Sequence, residues 1–174
     1  PAESDPRQLH GGWYVPIRPG VDTLSRDGKP LAPLLGEHTA FDGVDTGIVF
    51  GQFSFAHLCN DHAVLFRFTP RRVDLTDVEL IWLVREDAVE GRDFDVEKLT
   101  WLWDVTTIED TKIINDNQAG VNSSRYQPGP YVPAEAYAQA FIDWYVTRVG
   151  GLTQREASSE QPVRDFRGNV VAAE

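Results

Sequence analysis

Hydrophobic and polar residues alternate in two different rhythms along this chain, and the change falls near Asp87. Before it the period is two. Three stretches read as strands, Gly47 to Phe55, Ala63 to Thr69 and Val78 to Arg85, and the last alternates most clearly. In that stretch Val78, Leu80, Trp82 and Val84 share one face, while Glu79, Ile81, Leu83 and Arg85 share the other. Turns at Cys59-Asn60-Asp61 and Pro70-Arg71-Arg72 join them as an antiparallel meander. Upstream, Pro16, Pro19-Gly20, Asp27-Gly28, Pro30, Pro33 and Gly36 punctuate residues 13–46, so only short extended pieces such as Trp13 to Ile17 fit between the turns.

Beyond Asp87 the period lengthens to that of a helix. Asp95 is placed to cap a helix near Val96 to Trp103, with Leu99, Leu102 and Trp103 on its apolar side. Thr106-x-x-Glu109 and Thr107-x-x-Asp110 both have capping-box spacing and predict a second helix running to about Ser123. A third opens at Pro133, buries Tyr137, Phe141, Ile142, Trp144 and Tyr145, and ends at Gly150-Gly151. Residues 151–174 read as a polar, mobile tail and residues 1–150 as one domain. Strands followed by helices, without βαβ alternation, give an α+β fold with an antiparallel sheet and helices packed on it.

Composition narrows the function. The 174 residues carry a net charge of -11, which argues against nucleic acid and anionic membrane surfaces as partners. No run approaches the roughly 20 apolar residues of a membrane span, and the N-terminus lacks a signal pattern, so the expected location is the cytoplasm. Cys59 is the only cysteine, which rules out an intrachain disulfide and an iron-sulfur cluster held by this chain. The absence of any Met points to an excised domain or a truncated product.

Asp110 is the residue with chemistry to explain. On a helix starting near Thr107 it shares a face with Ile113, Ile114, Asn117, Gln118 and Val121, so it looks inward. A carboxylate on an apolar face needs a cation, a metal or hydrogen-bond donors. Alternatively it belongs to the first helical turn and caps free N–H groups there. Spacing alone leaves both open.

The segments Ala88-Val-Glu-Gly-Arg-Asp-Phe-Asp95, Leu99-Thr-Trp-Leu-Trp-Asp-Val-Thr-Thr107, Glu109-Asp110, Asn117-Gln-Ala-Gly-Val121, Tyr126-x-Pro-Gly-Pro-Tyr131 and Phe141-x-x-Trp-Tyr145 resemble the C-terminal half of Rieske-type non-haem iron oxygenase α subunits. Gly11-Gly-Trp-Tyr14, Asp27-Gly-Lys-Pro30 and Pro33-Leu-Leu-Gly36 fit the same family, so the likeness covers about residues 11–149. It implies a helix-grip fold, an antiparallel sheet wrapped around a helix. It also implies a mononuclear Fe(II) held by two His and one carboxylate, with Asp110 as that carboxylate and Asn117 and Gln118 as supporting donors. Such a triad leaves adjacent iron positions open for oxygen beside the substrate.

The same resemblance implies a Rieske 2Fe-2S cluster and NAD(P)H electrons reaching the site from a partner domain or reductase, in a homotrimer. The reaction that the resemblance implies is hydroxylation or demethylation of a small quaternary amine such as glycine betaine, or of a mono-aromatic acid. The two iron-binding His and the cluster-binding segment are missing from this chain, so it is expected to be incomplete alone. His57-Leu-Cys-Asn-Asp-His62 has the spacing of the iron-binding His pair but reads as a hairpin turn. His10 and His38 lie in Gly- and Pro-rich text without an assigned role. A different class of function, a non-catalytic module binding a small hydrophobic ligand, also fits a helix-grip cavity. For it, Phe50, Phe53, Phe55, Phe66, Phe68 and Trp82 are either lining or plain core.

Overall fold

A computed structural model describes residues 10–158. Its first compact unit, up to Gly129, holds five strands in the order β1-β2-β3-β4-β5, every neighbour antiparallel. They are β1 (His10–Pro16), β2 (Val44–Phe50), β3 (Ser54–Leu58), β4 (Ala63–Arg72) and β5 (Leu75–Leu83). The helix α1 (Val96–Val121) follows. The α+β class and the meander agree with the sequence pattern; several boundaries do not.

The run expected as one strand from Gly47 is a hairpin. Phe50 and Phe53 flank a turn at Gly51, whose φ of 67° is the left-handed backbone that glycine adopts without steric cost. Apolar residues on both sides of the turn hide it from a periodicity argument. The β4–β5 turn also falls later than Pro70, at Val73 and Asp74. A register irregularity between Pro70 and Arg72 lets the proline pair with Thr76 while the strand continues.

Register divides the sheet into two unlike faces. Trp13 lies opposite Gly47, Gly47 opposite His57, and His57 opposite Val64, which pairs with Trp82. Two residues along, Val49, Phe55, Phe66 and Leu80 form the next row, and Phe68 with Val78 the one after. One face is therefore rich in aromatic rings from edge to edge. Gly47 is required there because any Cβ at that position would collide with the Trp13 indole, which lies across it.

The two helices expected on either side of Thr106 are one. Asp95 caps it as predicted, its carboxylate accepting from Lys98 N at 3.1 Å. Thr106 and Thr107 do not cap a second. Thr106 Oγ1 donates to Leu102 O at 2.8 Å. Thr107 O in turn accepts from Thr111 Oγ1, and such bonds let threonine sit inside a helix. The motif-rich stretch before α1 is tied together by local bonds. Asp93 accepts from Val89 N, and the Arg92 guanidinium beside it holds its carboxyl down to about 2. Asp95→Ala should cost about 1 kcal/mol, read as a lower urea midpoint; an unchanged midpoint would show that the cap is redundant.

The second unit, from Pro130, has a single turn at Pro133–Glu135 followed by α2 (Ala136–Ser158). The helix starts where Pro133 predicts, with Val132 N donating to Glu135 Oε2. It runs through Gly150-Gly151 rather than ending there, so the expected tail is helical to Ser158 and its remainder lies outside the described residues. Tyr137, Ile142 and Tyr145 are exposed instead of buried, and Phe141 and Trp144 are half-buried, because the described residues of this unit supply no second layer to cover them. Among the described residues no helix is long and apolar enough to cross a membrane.

Candidate functional site

The β3–β4 turn anchors the long loop between β1 and β2. Asp61, fully buried, accepts from Thr23 Oγ1 at 2.7 Å, from Leu31 N at 2.8 Å and from His62 Nδ1 at 2.8 Å. Burial alone would raise its pKa, yet the bonds from His62, Leu31 and Thr23 together hold it below the usual aspartate value. Asn60 extends the cluster, its side-chain oxygen accepting from Asp42 N and its backbone oxygen from Leu35 N. Cys59 is buried beside it, and that burial pushes its thiol pKa up. His57 and His62 thus bracket a hairpin turn, as expected. Each binds its own aspartate, His57 to Asp45 and His62 to Asp61.

His57 belongs to the aromatic face. Its Nδ1 lies 2.7 Å from Asp45 Oδ2. With the carboxylate oxygen as acceptor, that nitrogen carries the hydrogen. Asp45 is only 4% exposed, and among the described residues its other oxygen, Oδ1, has no partner. Trp103 reaches over from α1 to stack on the His57 ring at 4.7 Å and to meet Phe66 edge-on at 5.1 Å. Trp13 and Phe55 approach the same imidazole edge-on, at 5.8 and 5.7 Å. Beside it opens a cavity of about 320 Å³ whose walls include Trp13, Phe55, Phe68 and His57, with Gln52 and Ser54 at its hairpin end.

Sequence reasoning missed the Asp45–His57 pair. The signal was an aspartate inside an apolar strand, on the side that alternation gives to Gly47 and Val49.

Asp110 sits fifteen residues into α1, counting from Val96, so the first-turn capping alternative fails. It is exposed, as are Ile113 and Ile114, both at 64%. Periodicity correctly groups these residues on one face, but it cannot say what covers that face. Asn117 is exposed too, and Gln118 Nε2 is engaged with Asn122 Oδ1 at 3.1 Å. Among the described residues no three His, Cys, Asp or Glu side chains gather into a metal site. The described residues therefore do not fit an iron centre by themselves, and Asp110 can be at most one of its ligands. His38 is exposed and hydrogen-bonded to Asn60 Nδ2, outside the lining of the cavity.

Comparison with known proteins supplies the family. The chain is 37% identical over 147 residues to the glycine betaine monooxygenase oxygenase subunit of Chromohalobacter salexigens, covering 83% of this chain and 33% of that protein. It is 36% identical over 137 residues to the same-named subunit of Pseudomonas aeruginosa, 78% of this chain and 32% of that protein. The chain thus spans about a third of the length of these relatives. A family model, ring hydroxylating alpha subunit (catalytic domain), matches residues 10–151. That match takes in both the aromatic sheet and the helix bearing Asp110, and the chain belongs to this family, the catalytic portion of Rieske-type oxygenase α subunits.

Proposed function

We propose that this chain supplies the substrate-facing sheet and the carboxylate-bearing helix of an iron-dependent Rieske monooxygenase acting on a small quaternary amine in the cytoplasm. The observation that carries the reading is the similarity over 83% of the chain to a glycine betaine monooxygenase subunit, with a mono-aromatic acid as the less favoured substrate. Hydroxylation of an N-methyl group lets that carbon leave as formaldehyde, so demethylation is the net result. In this reading the meander and α1 are the parts of a helix-grip fold that this chain contributes.

Asp110 is the one Fe(II) ligand we assign to the chain, its charge offsetting part of the cation's. The two imidazole ligands, the 2Fe-2S cluster and NAD(P)H-derived electrons come from other segments, subunits of a homotrimer, or a reductase. Asn117 and Gln118 lie seven and eight residues beyond Asp110 on a continuous helix. That separation is about 10 and 12 Å along the axis. They are therefore assigned to support another ligand or bound water, not the Asp110 carboxylate itself.

The test uses the protein that carries this chain. Glycine betaine supplied with NAD(P)H and oxygen should yield formaldehyde. Asp110→Ala should retain roughly a tenth or less of the wild-type iron, with helicity unchanged. Equal iron in the two proteins sinks the ligand assignment, and formaldehyde from no quaternary amine sinks the substrate.

A further inference from the structure

The pocket on the aromatic face carries a more specific statement about recognition, and it rests on the oxygenase reading for its substrate class. Its walls are formed by the rings of Trp13, Phe55, Phe68 and His57 and by Val49, with neutral polar groups only at Gln52 and Ser54. Among the described residues no Lys or Arg lines it, so a carboxylate entering headfirst would find no counter-charge. The charge that does bond to this face is negative. Asp45, two residues from Gly47 on the same side of β2, is buried behind His57 with one oxygen bonded and one unpartnered among the described residues.

Electron-rich ring faces and a buried anion favour the same kind of guest, a compact organic cation too large to be hydrated tightly. We propose that this pocket receives the methylated ammonium end of the substrate, with Trp13, Phe55 and Phe68 forming the aromatic walls and Asp45 supplying the negative charge through His57. Trp13 depends on Gly47 for its place, since only a residue without Cβ lets the indole lie across β2. The carboxylate end of a betaine then points to the open side, where Gln52 and Ser54 can donate to it. Asp45 touches His57 rather than the guest, which makes it a positioning residue.

The protein that carries this chain can be titrated directly, by intrinsic Trp fluorescence and calorimetry, with glycine betaine, tetramethylammonium and the tert-butyl analogue of betaine in which carbon replaces nitrogen. The analogue keeps shape and carboxylate and loses only the cation. Saturable binding of both cations is expected, with the analogue at least about fivefold weaker. Trp13→Leu should weaken both cations by a similar factor, and Asp45→Asn should narrow the gap between betaine and the analogue, which a merely structural role would not do. Equal binding of betaine and the analogue overturns the proposal, as does an unchanged gap in Asp45→Asn or the absence of saturable binding to the wild-type protein. If Trp13→Leu fails to fold, by circular dichroism, the analogue comparison and Asp45→Asn still decide. Formaldehyde release without a cation preference at this pocket would leave the oxygenase reading standing and remove only this inference. Cation binding without turnover would do the reverse.

Discussion

Asp61→Ala is expected to destabilise the chain by about 3 to 5 kcal/mol, a large share of the roughly 5 to 15 kcal/mol that holds an ordinary domain together. The substitution leaves three donors, the Thr23 hydroxyl, the Leu31 N–H and the His62 Nδ1–H, buried without their acceptor. It also releases the loop between β1 and β2, because those donors include two of its attachments to the β3–β4 turn. Asp61→Asn should fall between, since an amide keeps the shape but has one acceptor oxygen for the work of two.

The pH dependence follows from the lowered pKa. A carboxylate held below its ordinary 3.8 contributes stability that is fully present above that value and is lost as pH falls through the folded-state pKa. Urea unfolding should therefore show wild type and Asp61→Asn drawing closer as the medium is acidified below about pH 4. A difference that stays constant from neutral pH to strong acid would show that the charge of Asp61 has no part in the effect.

How much of this was legible beforehand varies with the range of the interaction. Alternation from Val78 to Arg85 found β5, which runs Leu75–Leu83, and its faces, and the Asp95 cap located the start of α1, because both are local rules. Gly51 hid a hairpin inside an apolar run, and Thr106 imitated a cap while bonding back to Leu102. The Asp45–His57 and Thr23–Asp61 contacts join residues twelve and thirty-eight positions apart, and only the register of β2 on β3 and the path of the loop bring them together. Asp110 is the mixed case. Its neighbours on the helix follow from spacing, and the ligand role proposed for it rests on resemblance to the family. Its exposure here depends on which other surfaces meet α1, and helical periodicity contains nothing about those.

What does hold α1 to the sheet is concentrated near its first two turns, and Trp103→Ala should expose this by costing about 3 kcal/mol. Leu99 is the one buried residue of the helix, and Trp103 adds the stack on His57 and the edge contact with Phe66. Trp101 adds a weaker surface tie through Arg26, whose guanidinium lies 5.3 Å from the ring centre. Farther along, Ile108 is 72% exposed and Ile113 and Ile114 are both exposed. Ile113→Ala should therefore change stability by less than about 0.5 kcal/mol. Hydrogen exchange separates the two cases. Amides throughout α1 should lose protection in Trp103→Ala while those of β3 and β4 keep most of theirs, since a helix without its packing contacts is marginal in water. Uniform loss across sheet and helix would mean that Trp103 belongs to the sheet's own core instead. Because Asp110 lies seven residues, about two turns, beyond Trp103 on an unbroken helix, that stack also sets where the carboxylate can reach. In the protein that carries this chain, Trp103→Ala should therefore lower iron content even though the indole ligates nothing, while Ile114→Ala, one turn beyond Asp110 on the same side and exposed in this chain, tests whether another surface covers that face.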